Sequence, residues 1–359
     1  MASPEALEQV AFEAAEDAHA DGALLAEFRI APLLFEAHGV PGEAVIEALL
    51  AGLKRSKLHS GLIVCGMRHL PPEETQRAAR LALRYQGKLG NPGHAGHQHP
   101  CGVVGFDLAG AEFGHPPAEH EAAITLVRDA GMALTLHAGE ADAAERVLQA
   151  ARLGATRIGH GVRLADALSD PARRHLVDEA IALDVHLEVC PTSNVHTGAA
   201  ASIATHPITA LWRAGLSLSY HTDNRLMSCI THSGEAAELL RHTPLKRADL
   251  LAMAATVGVT RAVQIGCDLP SARWTVGAID THPALVGGVA LHPNEAPRLA
   301  ERGQLADAMA EIASLATHPR IRTIGETGLD YFRTGDDGRA VQHESFRWHI
   351  DLAKRRAGR

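Results

Sequence analysis

Short apolar runs alternate with amphipathic segments along most of the chain, after a first segment over residues 3–21 whose apolar positions recur at helical spacing. The apolar runs predict strands over Leu25–Ala31, Gly61–Met67, Gly102–Leu108, Ala133–His137, Arg157–Gly159, Val185–Cys190 and Leu216–Tyr220. The segments between and after them predict helices over residues 41–55, 72–88, 117–130, 141–153, 170–183, 206–214 and 233–241. Such an alternation of strands and helices is typical of a parallel α/β sheet.

The number of strands is one short of a closed barrel. A barrel of this type has eight parallel strands, each followed by a helix. The chain opens with a helix and then gives only seven strand–helix steps before residue 243. We therefore predict an α/β fold of the TIM-type (β/α) barrel class, in which the first strand is missing.

The pattern changes near residues 243–260, where His242-Thr243-Pro244-Leu245 interrupts a helical segment. Beyond it the chain predicts strands over Ala262–Gly266, Val286–Leu291 and Ile321–Gly325, with helices over 296–317 and 341–354. We interpret this part as about two and a half βα units. The predicted domains are a barrel over residues 1–245 and a partial βα segment over residues 246–359.

The junction between the two parts allows a specific prediction. Because βαβ connections are right-handed almost without exception, the strand after helix 233–256 should advance one place around the ring. That place belongs to the missing first strand. We therefore expect Ala262–Gly266 to fill it, with Cys267 and Asp268 at the mouth, where a thiolate and a carboxylate are both suitable zinc ligands.

Composition excludes several classes of protein. Hydrophobic residues make up 46% and charged residues 21% of the 359-residue chain, as in an ordinary globular protein. The net charge of −8 argues against a nucleic-acid partner. No apolar stretch is long enough to span a bilayer, and the first residues lack a signal-peptide pattern. The five cysteines are odd in number and scattered, so we expect a reducing, cytoplasmic location.

A histidine-rich segment, 86–100, separates a helix from a strand and contains His94, His97 and His99. A metal-binding tract is one interpretation of such a composition. The other, which we prefer, is a solvated insertion.

Four side chains able to carry chemistry follow the ends of predicted strands: His137, Glu140, His160 and Asp223. Chemistry on a β/α barrel occurs at that face. His137 and Asp223 are suited to bind Zn²⁺, which makes hydroxide available near neutral pH. His160 could orient or deprotonate the water, and Glu140 could protonate a ring nitrogen of the substrate. Any one of them alone could be a core histidine or a helix-capping glutamate, but four together favour a hydrolytic metal site.

Several motifs of residues 5–242 resemble those of the adenosine deaminase family, in the same order along the chain. They are residues 27–32 (EFRIAP), 103–110 (VVGFDLAG), 135–140 (TLHAGE), 157–164 (RIGHGVRL), 187–194 (LEVCPTSN) and 221–228 (HTDNRLMS). The resemblance implies a zinc-dependent barrel hydrolase that deaminates adenosine and 2′-deoxyadenosine to the inosines.

The same resemblance implies roles for individual residues. His137 and Asp223 would bind Zn²⁺, Glu140 would protonate N1 of the purine and His160 would handle the water. Gly110 would contact the purine through its backbone.

This chain departs from the family pattern in two ways. The first strand of the family ends in His-x-His, which supplies two zinc ligands, and no such strand precedes residue 22. The chain also has Asp223-Asn224 where the family commonly has Asp-Asp, although Asn224 could still hydrogen-bond a purine nitrogen. We therefore expect weaker zinc binding and impaired activity.

The second part resembles a different family. Residues 263–268, 291–296 and 324–331, with Gln342, Phe346 and His349, are similar to TatD-type metal-dependent deoxyribonucleases over residues 257–355. In that family Glu326 would be a metal ligand. We interpret the chain as a fusion of a deaminase that lacks its first strand with an internal piece of a second barrel. The alternatives to a deaminase are a catalytically inactive purine-binding remnant and a TatD-like, metal-dependent DNA hydrolase.

Overall fold

The computed structural model describes residues 3–87, 101–256, 262–283 and 285–357. His94, His97 and His99 lie outside the described residues. The chain forms two compact units, Met1–Met253 and Ala254–Arg359. Among the described helices, none combines the length and the apolar character needed to cross a membrane.

The first unit contains seven strands and a set of helices that follow them along the chain. The strands are β1 (Leu25–Ile30), β2 (His59–Met67), β3 (Val103–Ala109), β4 (Ala133–Ala138), β5 (Arg157–His160), β6 (His186–Val189) and β7 (Ser217–Tyr220). The helices are α1 (Pro4–Ala20), α2 (Gly42–Arg55), α3 (Pro72–Arg84), α4 (Glu121–Asp129), α5 (Glu145–Arg152), α6 (Leu164–Leu168), α7 (Arg174–Ala182), α8 (Pro191–His196), α9 (Ile208–Arg213), α10 (Arg225–Ser228), α11 (His232–His242) and α12 (Arg247–Thr256). Short 3₁₀ helices lie at Pro32–His38 and Pro117–His120.

The seven strands form one parallel sheet in which each strand pairs with its neighbour in sequence. The sheet is curled, because side chains of β1 reach strands on the far side. Arg29 of β1 donates to Glu188 of β6 at 2.7 Å, and Arg157 of β5 donates to Glu27 of β1 at 2.5 Å. In a flat sheet β1 and β6 would lie about 24 Å apart. The sheet is therefore a curled half-barrel, and the predicted parallel α/β fold is confirmed.

The core of the first unit lies between the sheet and the helices that cover it. Phe106, Leu136 and Ile158 are fully buried on successive strands, and Ile124 and Val147 of the covering helices are fully buried with them. This packing fixes the strand ends that carry the polar residues of the site.

The predicted place of Ala262–Gly266 is wrong. This strand, β8, pairs in parallel with β9 (Leu285–Val289), in a three-stranded sheet of order β10-β9-β8. The seven-stranded sheet consists of β1 to β7, so β8 does not fill the vacant place in the ring. Residues 267 and 268 accordingly do not follow a strand of that ring.

The second unit surrounds this smaller sheet, which is completed by β10 (Ile321–Thr323). Its helices are α13 (Leu269–Thr281), α14 (Glu295–Glu301), α15 (Leu305–Leu315) and α16 (Asp336–Ala357). The side chain of Asp268 accepts a hydrogen bond from the backbone N–H of Ser271 at 2.7 Å and caps α13. Asp268, whose carboxylate is a suitable type of zinc ligand, thus has a structural role at the start of a helix.

Candidate active site

Two histidines meet at the carboxyl ends of neighbouring strands. The register of β4 and β5 pairs His137 with Gly159 and Ala138 with His160. The centroids of the two imidazole rings lie 5.0 Å apart. His160 has a φ of 67° and Asp223 a φ of 53°, which is uncommon for residues other than glycine. Backbone held in this region clusters at functional sites, so these strand ends are a candidate active site.

Asp107 orients His137. This carboxylate on β3 is fully buried and accepts the backbone N–H of His137 at 3.1 Å, while Nδ1 of the ring lies 2.8 Å from its second oxygen. Burial disfavours the charged form, but the His137 imidazole and the Arg29 guanidinium outweigh it and hold the pKa of Asp107 well below its usual range. With Nδ1 bound to a carboxylate, Nε2 of His137 is left to face a metal or a substrate.

Arg29 neutralises two buried carboxylates at once. One guanidinium nitrogen lies 3.4 Å from Asp107 and the other 2.7 Å from Glu188. Thr135 donates to the same Glu188 oxygen at 2.9 Å. Burial would lower the pKa of Arg29, but the charges of Asp107 and Glu188 raise it above its ordinary value. The negative charges inside the curled sheet are therefore neutralised by this arginine.

Glu140 and His160 share a buried asparagine. Oε1 of Glu140 accepts from Asn194 Nδ2 at 3.0 Å and from Thr197 at 2.8 Å, and its Oε2 lies 3.5 Å from His160 Nε2. Asn194 Nδ2 also lies 3.0 Å from His160 Nδ1. Burial, and then the neighbouring His137, lower the pKa of His160. The predicted proton donor and the predicted water-handling histidine are thus brought together.

A second carboxylate holds the backbone that carries Glu140. Glu112, itself buried, accepts backbone N–H groups from Gly139, from Glu140 at 2.9 Å, from Ala141 at 2.7 Å and from Asp142 at 3.2 Å. Four donors converge on one side chain, so the connection between β4 and α5 has a fixed shape.

The remaining predicted residues lie on exposed loops around the same strand ends. Asp223 accepts from Ser193 at 2.7 Å. Burial disfavours the charged form of His137, but the charge of Asp107 and, after it, that of Asp223 raise the pKa of His137 above its ordinary value. Asn224 caps α10 through its side-chain oxygen, which accepts the Met227 N–H at 3.0 Å. Gly110, just past β3, has a φ of 94°, and an added Cβ would lie 2.7 Å from a nitrogen of His69.

The metal-binding residues fit zinc in type but fall short in number. A catalytic zinc usually takes three protein ligands. His137 and Asp223 offer an imidazole nitrogen and a carboxylate. Over residues 3–87, 101–256, 262–283 and 285–357, however, no three His, Cys, Asp or Glu side chains are close enough together to hold an ion. The second unit also lacks such a group among its described residues. Its predicted ligand, Glu326, has an Oε2 that lies 3.9 Å from the thiol of Cys267.

The residues that support this site were not predicted from the sequence. Asp107 is a charged residue inside an otherwise apolar strand, which is the signal that could have identified it. Asn194 ends the 187–194 motif and Glu112 follows the 103–110 motif, but the residues that they contact are distant in sequence.

The sequence model of the adenosine deaminase family matches residues 1–259, and that of TatD-related DNases matches residues 236–357. An adenosine deaminase of Mycobacterium ulcerans is 40% identical over 257 residues, which are 67% of this chain and 66% of that protein. An adenosine deaminase of Mycobacterium tuberculosis (strain H37Rv) is 39% identical over 255 residues, with the same coverage. The chain thus spans about two thirds of the length of these relatives.

Solved structures with a similar fold cover most of the chain. The ADAL protein of Arabidopsis, in complex with IMP, has a TM-score of 0.59 and 21% identity over 71% of this chain and 72% of its own. An adenine deaminase of Arthrobacter aurescens has a TM-score of 0.54 and 23% identity over 71% and 79%. An amidohydrolase of Burkholderia ambifaria with bound Zn has a TM-score of 0.58 and 20% identity over 88% and 77%.

Proposed function

Since the chain belongs to the adenosine deaminase family, we propose that it hydrolytically deaminates a purine nucleoside, adenosine or 2′-deoxyadenosine, to the corresponding inosine. The observation that carries this proposal is the contact of Glu140 and His160 with one buried amide, beside a His137 ring whose Nδ1 is bound to Asp107. An acid, a hydrogen-bonding imidazole and an oriented metal-binding imidazole are the groups that this reaction needs.

Glu140 has the role of proton carrier in this proposal. Two neutral donors, Thr197 and Asn194, hold one of its oxygens, and the other oxygen faces His160. A carboxylic acid held in this way can protonate a purine ring nitrogen and later pass a proton to the leaving amine. Gly110 and Asn224 would contact the purine, through a backbone group and an amide respectively.

Zinc dependence is part of the proposal. His137 and Asp223 would hold the ion, which supplies hydroxide near neutral pH when bound. These two donors are fewer than a catalytic site usually has. We therefore propose that zinc binds weakly and that turnover is impaired, and the Burkholderia ambifaria neighbour with bound Zn supports zinc as the metal.

The test uses the purified full-length chain with added zinc and adenosine. Ammonia release and the ultraviolet change to inosine should follow enzyme concentration, and Glu140→Gln should lower the rate by about 10²–10⁴-fold. His137→Ala is a second control, which should lose zinc measured by elemental analysis. Turnover no faster than that of either variant would contradict the proposal.

A second function, purine binding without catalysis, is favoured by the small number of metal donors in the described residues. It predicts saturable adenosine binding, substoichiometric zinc and no ammonia. DNA hydrolysis by the TatD-like segment has less support, because Glu326 has only the Cys267 thiol near it among the described metal-binding side chains.

The proposed partner is therefore a small purine nucleoside. The net charge of −8 does not favour a nucleic-acid partner. No disulfide bond joins the described cysteines, which fits the proposed reducing, cytoplasmic location.

A further inference from the structure

The side-chain amide of Asn194 is fully buried, and its neighbours determine which atom is oxygen and which is nitrogen. On one side it lies 3.0 Å from Oε1 of Glu140. This oxygen is an acceptor, since it also receives the hydrogen bond of the Thr197 hydroxyl at 2.8 Å, so the amide atom that faces it must be the donor, Nδ2.

The opposite side of the amide leads to the same orientation. His206 Nδ1 accepts the backbone N–H of Ile208 at 3.1 Å. The proton of a neutral His206 is therefore on Nε2, which lies 3.3 Å from Asn194 Oδ1. Burial lowers the pKa of His206 to about 4, so this ring is neutral near pH 7. Two independent neighbours thus fix Asn194 in one orientation.

The second hydrogen of the Asn194 amino group faces His160, whose Nδ1 lies 3.0 Å away. Since Nδ2 is a donor only, Nδ1 of His160 must be the acceptor. We propose that Asn194 is a positioning residue that holds the neutral His160 ring in the tautomer with its proton on Nε2. The catalytic role of this tautomer rests on the proposed function, whereas the tautomer itself follows from the hydrogen-bond geometry.

The tautomer decides between the two roles that the sequence left open for His160. A ring with its proton on Nε2 donates a hydrogen bond from that nitrogen, which lies 3.5 Å from Oε2 of Glu140. It can therefore orient an attacking oxygen or stabilise the oxyanion that forms. It does not take a proton from water through Nε2, since that nitrogen already carries one.

The experiment measures the tautomer directly, without zinc or substrate. The full-length protein is labelled with ¹⁵N-histidine, and long-range ¹H–¹⁵N correlation spectra distinguish the protonated ring nitrogen from the unprotonated one. Loss of single signals in His160→Gln and His206→Gln assigns the two rings. We expect both His160 and His206 to carry the proton on Nε2.

A pair of variants tests whether Asn194 is the cause. In Glu140→Gln, Asn194 keeps its orientation because His206 still donates to it, so the His160 tautomer should be unchanged. In the double variant Glu140→Gln/Asn194→Asp, the new carboxylate can only accept, so the proton of His160 should move to Nδ1. His206 should keep its proton on Nε2 in both variants and serves as an internal control.

Two outcomes would overturn the inference: a wild-type His160 with its proton on Nδ1, or a double variant with the wild-type tautomer and an intact His206 signal. If the double variant does not fold, the wild-type spectrum alone still decides. A protein that shows the expected tautomer but releases no ammonia would contradict the proposed function and leave the role of Asn194 in place.

Discussion

Charged side chains inside the curled sheet are neutralised by partners from distant strands. Asp107 and Glu188 are almost completely buried, and each lies within 3.4 Å of the Arg29 guanidinium. A buried ion pair adds little net stability over a well-packed apolar pair, but removing one partner leaves an uncompensated charge. Arg29 should therefore matter more for folding than its charge alone suggests.

The first prediction concerns this arginine. Arg29→Met removes the guanidinium that Asp107 and Glu188 share and leaves Glu188 with Arg157 alone, at 3.2 Å. We expect the free energy of unfolding to fall by about 3–5 kcal/mol. Arg174→Met is the matched control, because Arg174 pairs with Asp178 on the surface, with 46% and 63% of the two side chains exposed. The control should cost about 0–1 kcal/mol. Urea unfolding measures both, and equal losses would contradict the prediction.

The second prediction concerns pH. Burial disfavours the ionised Glu188, but Arg29 and Arg157 outweigh this and lower its pKa from 4.5 to about 2. A carboxyl whose pKa is lower in the folded state stabilises the protein above its unfolded pKa, and this stabilisation is lost as pH falls through the folded value. Between about pH 5 and 2 the loss should be on the order of 3 kcal/mol.

Glu188→Gln isolates this contribution. The variant should be less stable than the wild type near pH 7, and the difference should shrink as the pH falls below about 4, since the wild-type carboxyl then takes up a proton. Urea unfolding at several pH values measures it. A difference independent of pH would show that Glu188 is not held ionised by its partners.

Among the secondary-structure elements, the connection from β4 to α5 is the one that the site depends on most. It carries Glu140, and Glu112 receives four of its backbone N–H groups. A buried carboxylate shared by several amides fixes the path of a loop because each amide would otherwise be unsatisfied or bound to water.

The third prediction follows from this connection. Glu112→Ala should increase hydrogen exchange at the amides of residues 139–142, and the loss of partners should cost about 1–3 kcal/mol. Glu119→Ala, a change at an exposed position a few residues later, is the control and should leave those amides protected. Unchanged exchange in Glu112→Ala would mean that the loop is held by other contacts.

The end of a helix can be predicted from the sequence where a residue that disfavours helical backbone is present. The interruption predicted at His242–Leu245 separates two helices, α11 and α12, because proline lacks an N–H and disfavours helical backbone in the residue before it. The helix predicted over 296–317 also divides, at Gly303 with a φ of 67°. That glycine was visible in the sequence, but glycine in a helical pattern does not by itself end a helix.

At the scale of the whole molecule, the end of the first unit lies beyond the predicted domain boundary at residue 245. Leu250 and Met253 are buried in the hydrophobic core of residues 7–253, and Asp249 accepts from the Trp212 indole at 3.2 Å. Helix α12 is therefore a part of the first core as far as Met253, although the change in sequence pattern comes earlier.

The fourth prediction compares two shortened chains. A chain ending at Met253 should fold cooperatively, whereas one ending at Leu245 should be less stable by about 4 kcal/mol or more, because it loses two buried side chains. Thermal and urea unfolding followed by circular dichroism would measure the difference. Equal stability would mean that α12 does not contribute to the core.

The sequence by itself determined the parallel α/β class, most of the strands and helices, the seven strands of the first sheet and the position of His137, Glu140 and His160 at strand ends. These follow from periodicity and local order, which are properties of neighbouring residues.

Only the tertiary structure decided that β8 joins a separate sheet, because strand pairing depends on which edges and faces meet in space. It also decided that Asp107, Arg29, Asn194 and Glu112 support the site. Each of these contacts a residue far away in the chain, and a hydrogen bond across the sheet leaves no periodic trace in the sequence.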